Sequence, residues 1–544
     1  MFARFVAWTW GRYALSSAKR KLKKIFSRST LVLLTILLLF LVDVLLVYGV
    51  IIAVELALEH ILPDAATVWI QIGVTVIVWF FVFTTVLNIV SRDMVPEAKI
   101  TWLLCVVCLS LFGVMIYAIF SVNRPSKSDQ KLYRAVEKEL RRFHVRELRH
   151  AAVSSALGDW AQVSEALYHT DYTAVLHGGT KTEFFGSGEG FFLRLKEDLK
   201  RAEKYIFLEY FIFERGKMWD EILAILLQKV KEGVEVRVLY DDIGCMGKLR
   251  LGYAASLRKQ GINCRVFNCF VPVVSNIHNN RDHRKIAVID GKIGYTGGIN
   301  IADEYINETH PFGHWKDSAV RLEGRGVKTL SLMFLQLFSI ECKHAEDFSA
   351  YIPKEYEDFG DQGYVQAYGD GPRPMYKRDV GENVYLNIIN GAKKYVWITT
   401  PYLIIDYRLR EALIRAAERG VDVRLITPHI PDKKVVFALT RSNYLTLIRG
   451  GVKIYEYTPG FVHAKHFLAD DEAGVVGTIN LDYRSFLHHF ECAVFMYGTQ
   501  ALAQMKQDFL ETFAVSALQT EEDAKKSVIS RLVCNIAKVF APLF

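Results

Sequence analysis

Residues 283–300 read HRKIAVIDGKIGYTGGIN, and residues 463–480 read HAKHFLADDEAGVVGTIN. Both stretches begin with the pattern His-x-Lys-x-x-x-x-Asp and end with two small residues and an asparagine. The matched residues are His283, Lys285, Asp290, Gly297, Gly298 and Asn300 in the first stretch, and His463, Lys465, Asp470, Gly477, Thr478 and Asn480 in the second. The histidines (463 − 283) and the asparagines (480 − 300) are both 180 residues apart. The sequence therefore predicts a duplicated unit.

The repeat extends upstream of the two motifs. Residues 204–210 (KYIFLEY) resemble residues 394–402 (KYVWITTPY), and both runs are typical of buried strands. A helical pattern follows each run and ends near a glycine, Gly233 or Gly420, before another alternating strand begins. Strands that alternate with helices predict an α/β fold with a mixed or parallel central sheet. We expect two such halves, related by a pseudo-twofold axis.

Composition sets the expected boundaries of these halves. The first is expected at 181–359 and the second at 374–500, joined by a Gly- and Asp-rich connection at 360–373. The first copy is expected to carry extra residues within 271–281, just before its histidine. Residues 501–544 are expected to form a helical segment, whose apolar face suits either the membrane surface or the α/β core.

The motif residues suit phosphoryl transfer. In an extended strand residues i and i+2 point the same way, so each half offers a histidine base and a lysine cation on one face. The Asp-Gly pair at 290–291 predicts a tight turn, after which the returning strand brings small residues and Asn300 beside the histidine. In each half the small residues are expected to let a phosphate approach the backbone, and the asparagine amide is expected to donate to its oxygens. Two such sets around one phosphodiester would stabilise its charge while one histidine attacks phosphorus and the other protonates the leaving alcohol. Asp290 and Asp470 are interpreted as framework residues of the motif.

The amino-terminal part is typical of a membrane protein. Of the 544 residues, 51% are hydrophobic, and the excess lies in three nearly uncharged runs at 30–53, 66–90 and 100–120. Each run is about twenty residues long, which is enough to cross a bilayer. We therefore expect a transmembrane region at 30–121, in which Asp43 should be paired or functional.

The segments that flank this region are basic. Residues 1–29 hold eight Lys and Arg and no acid, so the rest of the chain balances at 59 basic (67 − 8) and 59 acidic residues. That balance argues against a nucleic-acid partner, whereas the amphipathic amino terminus suits an anionic bilayer. The basic start favours a cytoplasmic amino terminus, and three crossings would then put the α/β part outside. The basic linker expected at 122–180 favours the cytoplasm for the same part, so the side stays open.

The eight cysteines give no sign of a metal centre. No CxxC pair or Cys/His cluster lies outside the apolar runs, so neither a zinc site nor a disulfide framework is predicted. We expect no metal and no cofactor.

The duplicated motif resembles the signature of the phospholipase D superfamily, over roughly residues 180–499. Other stretches are similar to bacterial cardiolipin synthases, namely PEAKITWL at 96–103, EYFI at 209–212, HWKD at 314–317 and GTINLDYRS at 477–485. The resemblance implies two phospholipase D-like α/β/α sandwich halves that share one active site, preceded by transmembrane helices. It also implies a multi-pass protein of the bacterial cytoplasmic membrane.

The same resemblance implies a reaction. A histidine attacks one phosphatidylglycerol and glycerol leaves, and the terminal hydroxyl of a second phosphatidylglycerol resolves the phosphatidyl-enzyme to give cardiolipin. By analogy His283 is the nucleophile and His463 the general acid and then base, with the swapped roles left open. The oligomeric state is not predicted.

Five further residues are candidates for the site. Superfamily histidines are often oriented by a downstream carboxylate, and Asp317 and Glu491 follow their own histidines by 34 and 28 residues (317 − 283 and 491 − 463). Glu209, Tyr210 and Tyr402 lie at the ends of predicted strands and are candidates for lining the site.

Two rival functions stay open at this point. A hydrolase of the same superfamily, a phospholipase D or a nuclease, needs only water in place of the second alcohol. The membrane region and the neutral remainder of the chain argue against a nuclease. A catalytically inactive membrane scaffold is the alternative of another class, and the intact motifs in both halves argue against it.

Overall fold

The structure, a computed structural model, describes residues 64–121, 126–144, 155–171, 173–269, 279–360, 362–525 and 528–543. The chain divides into two compact units, one formed by residues 1–124 with 270–277 and the other by residues 125–269 with 278–544. We call the second unit the α/β unit.

Two apolar helices make up the described part of the first unit. They are α1 (Asp64–Ser91) and α2 (Pro96–Phe120), and both are long and apolar enough to cross a membrane. Proline at the first position of α2 suits a helix start, since that position needs no backbone N–H donor. The helices coincide with the crossings predicted at 66–90 and 100–120. The crossing predicted at 30–53 and the basic segment 1–29 lie outside the described residues.

A helical layer opens the α/β unit. It consists of α3 (Lys127–His144), a 3₁₀ turn at Ser155–Trp160 and α4 (Ala161–Thr170). Val136 and Leu140 of α3 and Leu167 of α4 are buried in the main hydrophobic core. The described part of 122–180, expected as a linker, is therefore mostly packed helix, because its apolar residues recur at helical spacing between the basic ones.

The first half is built on a seven-stranded sheet. Its seven strands are β2 (Lys181–Phe185), β3 (Tyr205–Tyr210), β4 (Glu235–Asp241), β5 (Asn263–Phe267), β7 (Lys285–Ile289), β8 (Ile293–Gly297) and β10 (Ala319–Glu323). Three short strands of this part of the chain, β1 (His177–Gly178), β6 (Arg281–Asp282) and β9 (His314–Lys316), pair with strands of the second half. The helices are α5 (Gly188–Lys200), α6 (Lys217–Lys231), α7 (Tyr253–Arg258) and α8 (Val327–Glu341), with 3₁₀ turns at Asp303–Ile306 and Phe348–Tyr351. The sheet order is β2-β10-β8-β7-β3-β4-β5, in which β3, β4 and β5 run parallel and the other neighbours antiparallel.

The second half repeats this plan. Its strands are β11 (Tyr364–Asp370), β12 (Tyr395–Thr399), β13 (Leu403–Ile404), β14 (Asp422–Pro428), β15 (Lys453–Tyr457), β16 (Gly460–Val462), β17 (His466–Ala469), β18 (Ala473–Gly477), β19 (Leu481–Asp482), β20 (His489–Tyr497) and β21 (Ser516–Leu518). Its helices are α9 (Val380–Gly391), α10 (Tyr407–Glu418), α11 (Lys434–Arg441), α12 (Tyr444–Arg449), α13 (Tyr483–Leu487), α14 (Gln500–Ala514), α15 (Glu521–Ala524) and α16 (Val528–Phe540), followed by a 3₁₀ turn at Ala541–Leu543.

The two sheets have the same strand order. In the second sheet β11-β20-β18-β17-β12-β14-β15 matches the order of the first, and β1 and β21 are added at its edges. The duplicated α/β organisation predicted from the sequence is confirmed. The hairpin predicted after each motif strand is confirmed too, as β7 pairs antiparallel with β8 and β17 with β18.

Two short parallel strand pairs join the halves. β6 pairs with the start of β20, where Arg281 lies opposite His489, and β16 pairs with β9, where Phe461 lies opposite Trp315. In both pairs, the strand that leads into one motif histidine lies beside a strand of the other half. The halves are therefore linked by backbone hydrogen bonds as well as by the core.

Two segments differ in detail from the expectation. Residues 360–373, expected as a connection, contain β11, which pairs along its whole length with β20. Its glycine is a packing requirement, because a Cβ on Gly369 would lie 2.3 Å from the Tyr376 hydroxyl. The carboxy-terminal helix α16 packs on α11, with Lys538 Nζ donating to the carbonyl of Ser442 at 3.3 Å, while Ile536 stays 55% exposed.

Candidate active site

Each motif histidine lies just before a central strand. His283 falls between β6 and β7, and His463 falls between β16 and β17, whereas the sequence predicted both within a strand. The lysine two residues on turns back, so that Lys285 Nζ donates to the carbonyl of His283 at 2.7 Å and Lys465 Nζ donates to that of His463. All four side chains are buried. Each half thus supplies one base and one cation held by its own backbone.

The carboxylates that hold the histidines come from the opposite halves. His283 Nδ1 lies 3.0 Å from both carboxylate oxygens of Glu491, and His463 Nδ1 lies 2.7 Å from Asp317 Oδ2. Asp317 and Glu491 are therefore brought to the site as predicted, but each contacts the other half's histidine instead of the one that precedes it. Since ionised carboxylates only accept hydrogen bonds, each neutral histidine carries its proton on Nδ1 and its lone pair on Nε2.

The two interlocked strand pairs cause this exchange. The backbone N–H of His283 donates to the carbonyl of Phe490 at 2.9 Å, directly before Glu491. The backbone N–H of His463 donates to the carbonyl of Lys316 at 2.7 Å, directly before Asp317. The register of each pair thus places a histidine beside the carboxylate that comes directly after the paired residues of the other half.

The small residues after each motif make room for protein groups. A Cβ on Gly298 would lie 2.0 Å from Asp317 Oδ1, and one on Gly477 would lie 2.3 Å from the Ala493 Cβ. The space where a Cβ on Gly297 would lie is likewise occupied, by the Ser318 carbonyl and by Ala319. Thr478, the counterpart of Gly298, donates its hydroxyl hydrogen to Glu491 Oε2. These residues therefore support the two carboxylates and the neighbouring strands.

The two motif aspartates bind backbone, not the site. Asp290 accepts from the N–H groups of residues 203, 204 and 205 at 2.8, 2.7 and 2.9 Å. Asp470 accepts from those of residues 393, 394 and 395 at 2.7, 2.8 and 2.8 Å. Both have φ values near +55°, a conformation that Asp tolerates better than most residues. They fix the start of β3 and β12, as their interpretation as framework residues predicts.

Both asparagine side chains donate to protein oxygens. Asn300 Nδ2 donates to the Tyr305 hydroxyl at 2.7 Å, and Asn480 Nδ2 donates to Asp482 Oδ2 at 3.1 Å. Tyr305 in turn packs edge-on against His463, with ring centroids 5.5 Å apart. Asn300 therefore supports the histidine of the other half through a tyrosine.

Burial sets the protonation of the four motif side chains. It lowers the pKa of His463 to about 4 and that of His283 well below its usual value, and the neighbouring lysines lower both further. Burial also lowers the pKa of Lys285 to about 8 and that of Lys465 to about 7. Although burial opposes it, the charges of His463 and Lys465 hold the pKa of Asp317 below its usual value. Near neutral pH the site therefore contains two neutral histidines and two lysines that lose their proton readily.

The three candidate lining residues lie at different depths. Glu209 is fully buried near Arg284 and Asp282, and burial raises its pKa to about 7. Tyr210 lies opposite Lys285 in the sheet, but its ring packs against Phe213 in the core. Tyr402 donates to Asp432 at 2.6 Å and accepts from Lys433 Nζ at 3.0 Å.

A third histidine contacts the site and was missed from the sequence. His489 is buried, its ring centroid is 5.3 Å from that of His283, and its Nδ1 lies 3.5 Å from Glu491 Oε1. Trp315 has the matching position in the other half and lies 5.6 Å from the His463 ring. Each precedes its carboxylate by two residues in an extended run, and that spacing was the available signal.

His283, His489 and Glu491 are close enough for a metal ion, with ligand atoms within 4.8 Å of one another. However, Arg484 Nε donates to His489 Nε2 at 3.2 Å, so a neutral His489 carries its proton on Nδ1, facing Glu491. Burial lowers the pKa of His489 to about 3, which keeps it neutral. The arrangement thus leaves the Nδ1 proton facing Glu491, 3.5 Å from Oε1 and without a hydrogen-bond partner among the described residues, and it gives a neutral His489 no free lone pair for a metal ion.

Sequence comparisons agree with this geometry. The family described as "Cardiolipin synthase, PLD-like domain" matches residues 195–312 and 385–513, one segment in each half. An uncharacterized protein of Streptococcus mutans is 46% identical over 84% of this chain and 99% of its own length. Cardiolipin synthases of Halalkalibacterium halodurans and Geobacillus sp. are 33% and 34% identical, each over 82% of this chain and 89% of its own length.

A solved structure supports the fold. The crystal structure of a phosphatidylserine synthase from Haemophilus influenzae superposes with a TM-score of 0.54 and 16% identity, covering 70% of this chain and 97% of that chain. The motifs match in both halves, and each motif histidine is hydrogen-bonded to a carboxylate of the other half. About a third of the residues are identical to those of cardiolipin synthases over four fifths of the chain. The chain therefore belongs to the cardiolipin synthase family of the phospholipase D superfamily.

Proposed function

We propose that the protein is a cardiolipin synthase that moves a phosphatidyl group from one phosphatidylglycerol to another through a covalent phosphatidyl-histidine. The observation that carries the proposal is the pair of buried histidines, each fixed at Nδ1 by a carboxylate and each beside a buried lysine. A histidine held in this way presents the lone pair of Nε2, which is the atom that can attack phosphorus.

In the first step His283 Nε2 forms a bond to phosphorus and the bond from phosphorus to the glycerol oxygen breaks. This step uses the form of His463 that is protonated on both Nδ1 and Nε2, which is the minor form near neutral pH because burial lowers its pKa to about 4. The Nε2 proton passes to the glycerol oxygen and glycerol leaves, so that His463 becomes neutral with its remaining proton on Nδ1, facing Asp317. The His463–Asp317 contact of 2.7 Å is shorter than the His283–Glu491 contact of 3.0 Å, so it better stabilises a protonated imidazole. This difference supports His463 as the acid and His283 as the nucleophile.

In the second step the terminal hydroxyl of another phosphatidylglycerol gives its proton to His463 and attacks phosphorus. The bond to His283 breaks, and cardiolipin is formed. Two displacements at the same phosphorus give net retention of configuration. Lys285 and Lys465, when protonated, offset the charge that develops on the phosphoryl oxygens.

The substrate assignment rests on the membrane region as well as on the site. Two described helices are apolar and long enough to cross a bilayer, which would keep the chain beside its lipid substrates. We propose that the protein is a multi-pass component of the bacterial cytoplasmic membrane and uses phosphatidylglycerol as both donor and acceptor.

The test is incubation of the purified full-length protein with phosphatidylglycerol labelled in the acyl chains and in the terminal glycerol. Equal amounts of cardiolipin and free glycerol are expected. Phosphatidic acid as the main product would reject the transfer reaction in favour of hydrolysis.

Two variants test the shared site. His283→Ala should abolish formation of the labelled phosphatidyl-enzyme, and His463→Ala should slow both its formation and its breakdown. Retention of full turnover by either variant would reject a single site built from both histidines.

A further inference from the structure

A second concentration of positive charge lies away from the motif residues. It lines a cavity of about 670 Å³ formed by α3, the start of α8 and the segment 349–356. Six of its eleven lining residues are basic and none is acidic; the basic ones are Lys138, Arg141, Arg142, Arg325, Lys328 and Lys354. None of them belongs to the site built around His283 and His463.

Part of this charge has no counterion in the described structure. Arg141 pairs with Glu137 one turn away, and Arg142 pairs with Glu139 and Asp347 on the exposed rim. Among the described residues, no carboxylate lies within 4.0 Å of Lys138, Arg325 or Lys354. Like charges that converge on one cavity repel each other unless an anion lies between them.

The position of two of these cations at a helix start adds to this argument. Arg325 lies two residues before the first residue of α8, and Lys328 lies in the first turn of that helix. The residue before the helix is Gly326, which offers no side-chain cap. The amino-terminal end of a helix carries partial positive charge, so cations are unfavourable there and anions are favourable. A bound anion would offset this cost.

The rest of the cavity wall is apolar. Phe143, Ile352 and Pro353 line it together with the basic residues. The volume is in the range of cavities that hold small organic ligands, and is much larger than a phosphate ion needs. Cations beside an apolar wall suit an amphiphile, in which a charged head and carbon-rich parts are adjacent.

We propose that this cavity binds the headgroup and glycerol backbone of an anionic phospholipid, as a second lipid site distinct from the catalytic one. The phosphate would contact Lys138, Arg325 and Lys354, and the first acyl carbons would lie on Ile352 and Phe143. In the sequence, α3 begins seven residues (127 − 120) after the last residue of the apolar helix α2, so the helix that carries part of the basic wall follows a candidate membrane span along the chain.

The test measures binding of dioctanoyl phosphatidic acid to the full-length protein in neutral detergent by calorimetry. The variant Lys138→Gln/Arg325→Gln/Lys354→Gln is compared with Lys200→Gln/Lys231→Gln/Lys259→Gln, which removes the same charge from exposed positions outside the cavity. Each basic contact to an anionic headgroup is worth roughly fivefold in affinity, so the cavity variant should bind at least about tenfold more weakly. The control variant should bind like the wild type.

The other outcomes are equally defined. Equal binding by the cavity variant and the control overturns the proposal. If inorganic phosphate binds with the same dependence on the three residues, the ligand is a free phosphate and the lipid assignment is overturned. Loss of dioctanoyl phosphatidylcholine binding in the cavity variant would show that charge does not select the ligand, which also overturns it.

The readout does not depend on the proposed reaction, because binding is measured without turnover. If the triple variant fails to fold, Arg325→Gln and Lys354→Gln are tested singly, each with an expected loss of roughly threefold to fivefold. As an independent measurement, Ile352→Glu should weaken phosphatidic acid binding by placing a negative charge on the apolar wall.

Discussion

At the scale of single residues, each carboxylate contacts the histidine of the other half, so its substitution should affect the reaction step of that histidine. Asp317→Asn should impair proton transfer by His463, and Glu491→Gln should impair the attack of His283 on phosphorus. Each variant should lose about 10²- to 10⁴-fold in kcat. Single-turnover assays with phosphatidyl p-nitrophenol, whose leaving group needs no proton, separate the two. With this substrate Asp317→Asn should form the phosphatidyl-enzyme readily, whereas Glu491→Gln should not.

The matched control for this comparison is Glu323→Gln. It removes a carboxylate at the last residue of β10, six residues after Asp317 (323 − 317), where it pairs with Arg321, and it should leave both steps intact. Equal loss of the first step in Asp317→Asn and Glu491→Gln would contradict the exchanged pairing.

The two buried lysines predict a decline of activity on the alkaline side. The pKa of Lys465 is about 7 and that of Lys285 is about 8, both lowered first by burial. Above those values the lysines are neutral and no longer offset phosphate charge, so kcat/KM should fall as the pH rises through about 7 to 8. In Lys465→Arg, whose guanidinium stays charged, the decline should move to higher pH. An unchanged alkaline limb in that variant would contradict the assignment.

At the scale of elements, the aspartate of each motif predicts a loss of stability. Asp470→Ala removes the acceptor of three backbone N–H groups at the start of β12 and forces alanine into positive φ. A cost of about 3 kcal/mol is expected, from about 1 kcal/mol for each lost bond, with backbone strain in addition. Thermal melting of the purified protein measures the effect.

The neighbouring Asp471→Ala is the control for that prediction. Asp471 also has positive φ, but its 52% exposed side chain contacts Lys506 and Tyr395 instead of a row of backbone donors. It should therefore lower the melting temperature by clearly less. A similar decrease in both variants would show that φ, and not the backbone acceptor, dominates.

The strands and helices also show how much of the fold and of the site could be predicted from the sequence. The repeat predicted both halves and both hairpins, because glycines, strand patterns and motifs recur at similar offsets. It could not predict that Asp317 contacts His463. A repeat shows which residues of the two halves are equivalent, but it does not show which residues of one half contact the other. β11 was hidden because glycines surround a short alternating run, and His489 was overlooked because its counterpart, Trp315, cannot titrate.

At the scale of the whole molecule, neither half contains a complete histidine site. Chains 1–360 and 361–544 should form no cardiolipin when expressed separately, because each holds a histidine whose carboxylate lies in the other. Expressed together they should associate through β6–β20 and β9–β16 and restore activity. Cardiolipin synthesis by one fragment alone would contradict this, and co-purification checks that the pair has assembled.

The contact between His283 and Glu491 also determines when, during synthesis of the chain, the His283 site can be completed. The ribosome must add 208 more residues after His283 before its carboxylate exists. At roughly 5 to 20 residues per second, this takes about 10 to 40 seconds. During that interval both apolar helices have already been synthesised, but His283, the proposed nucleophile, lacks the carboxylate that holds its Nδ1. Any chain released before residue 491 would therefore carry both apolar helices and His283 without the carboxylate that the proposed reaction needs.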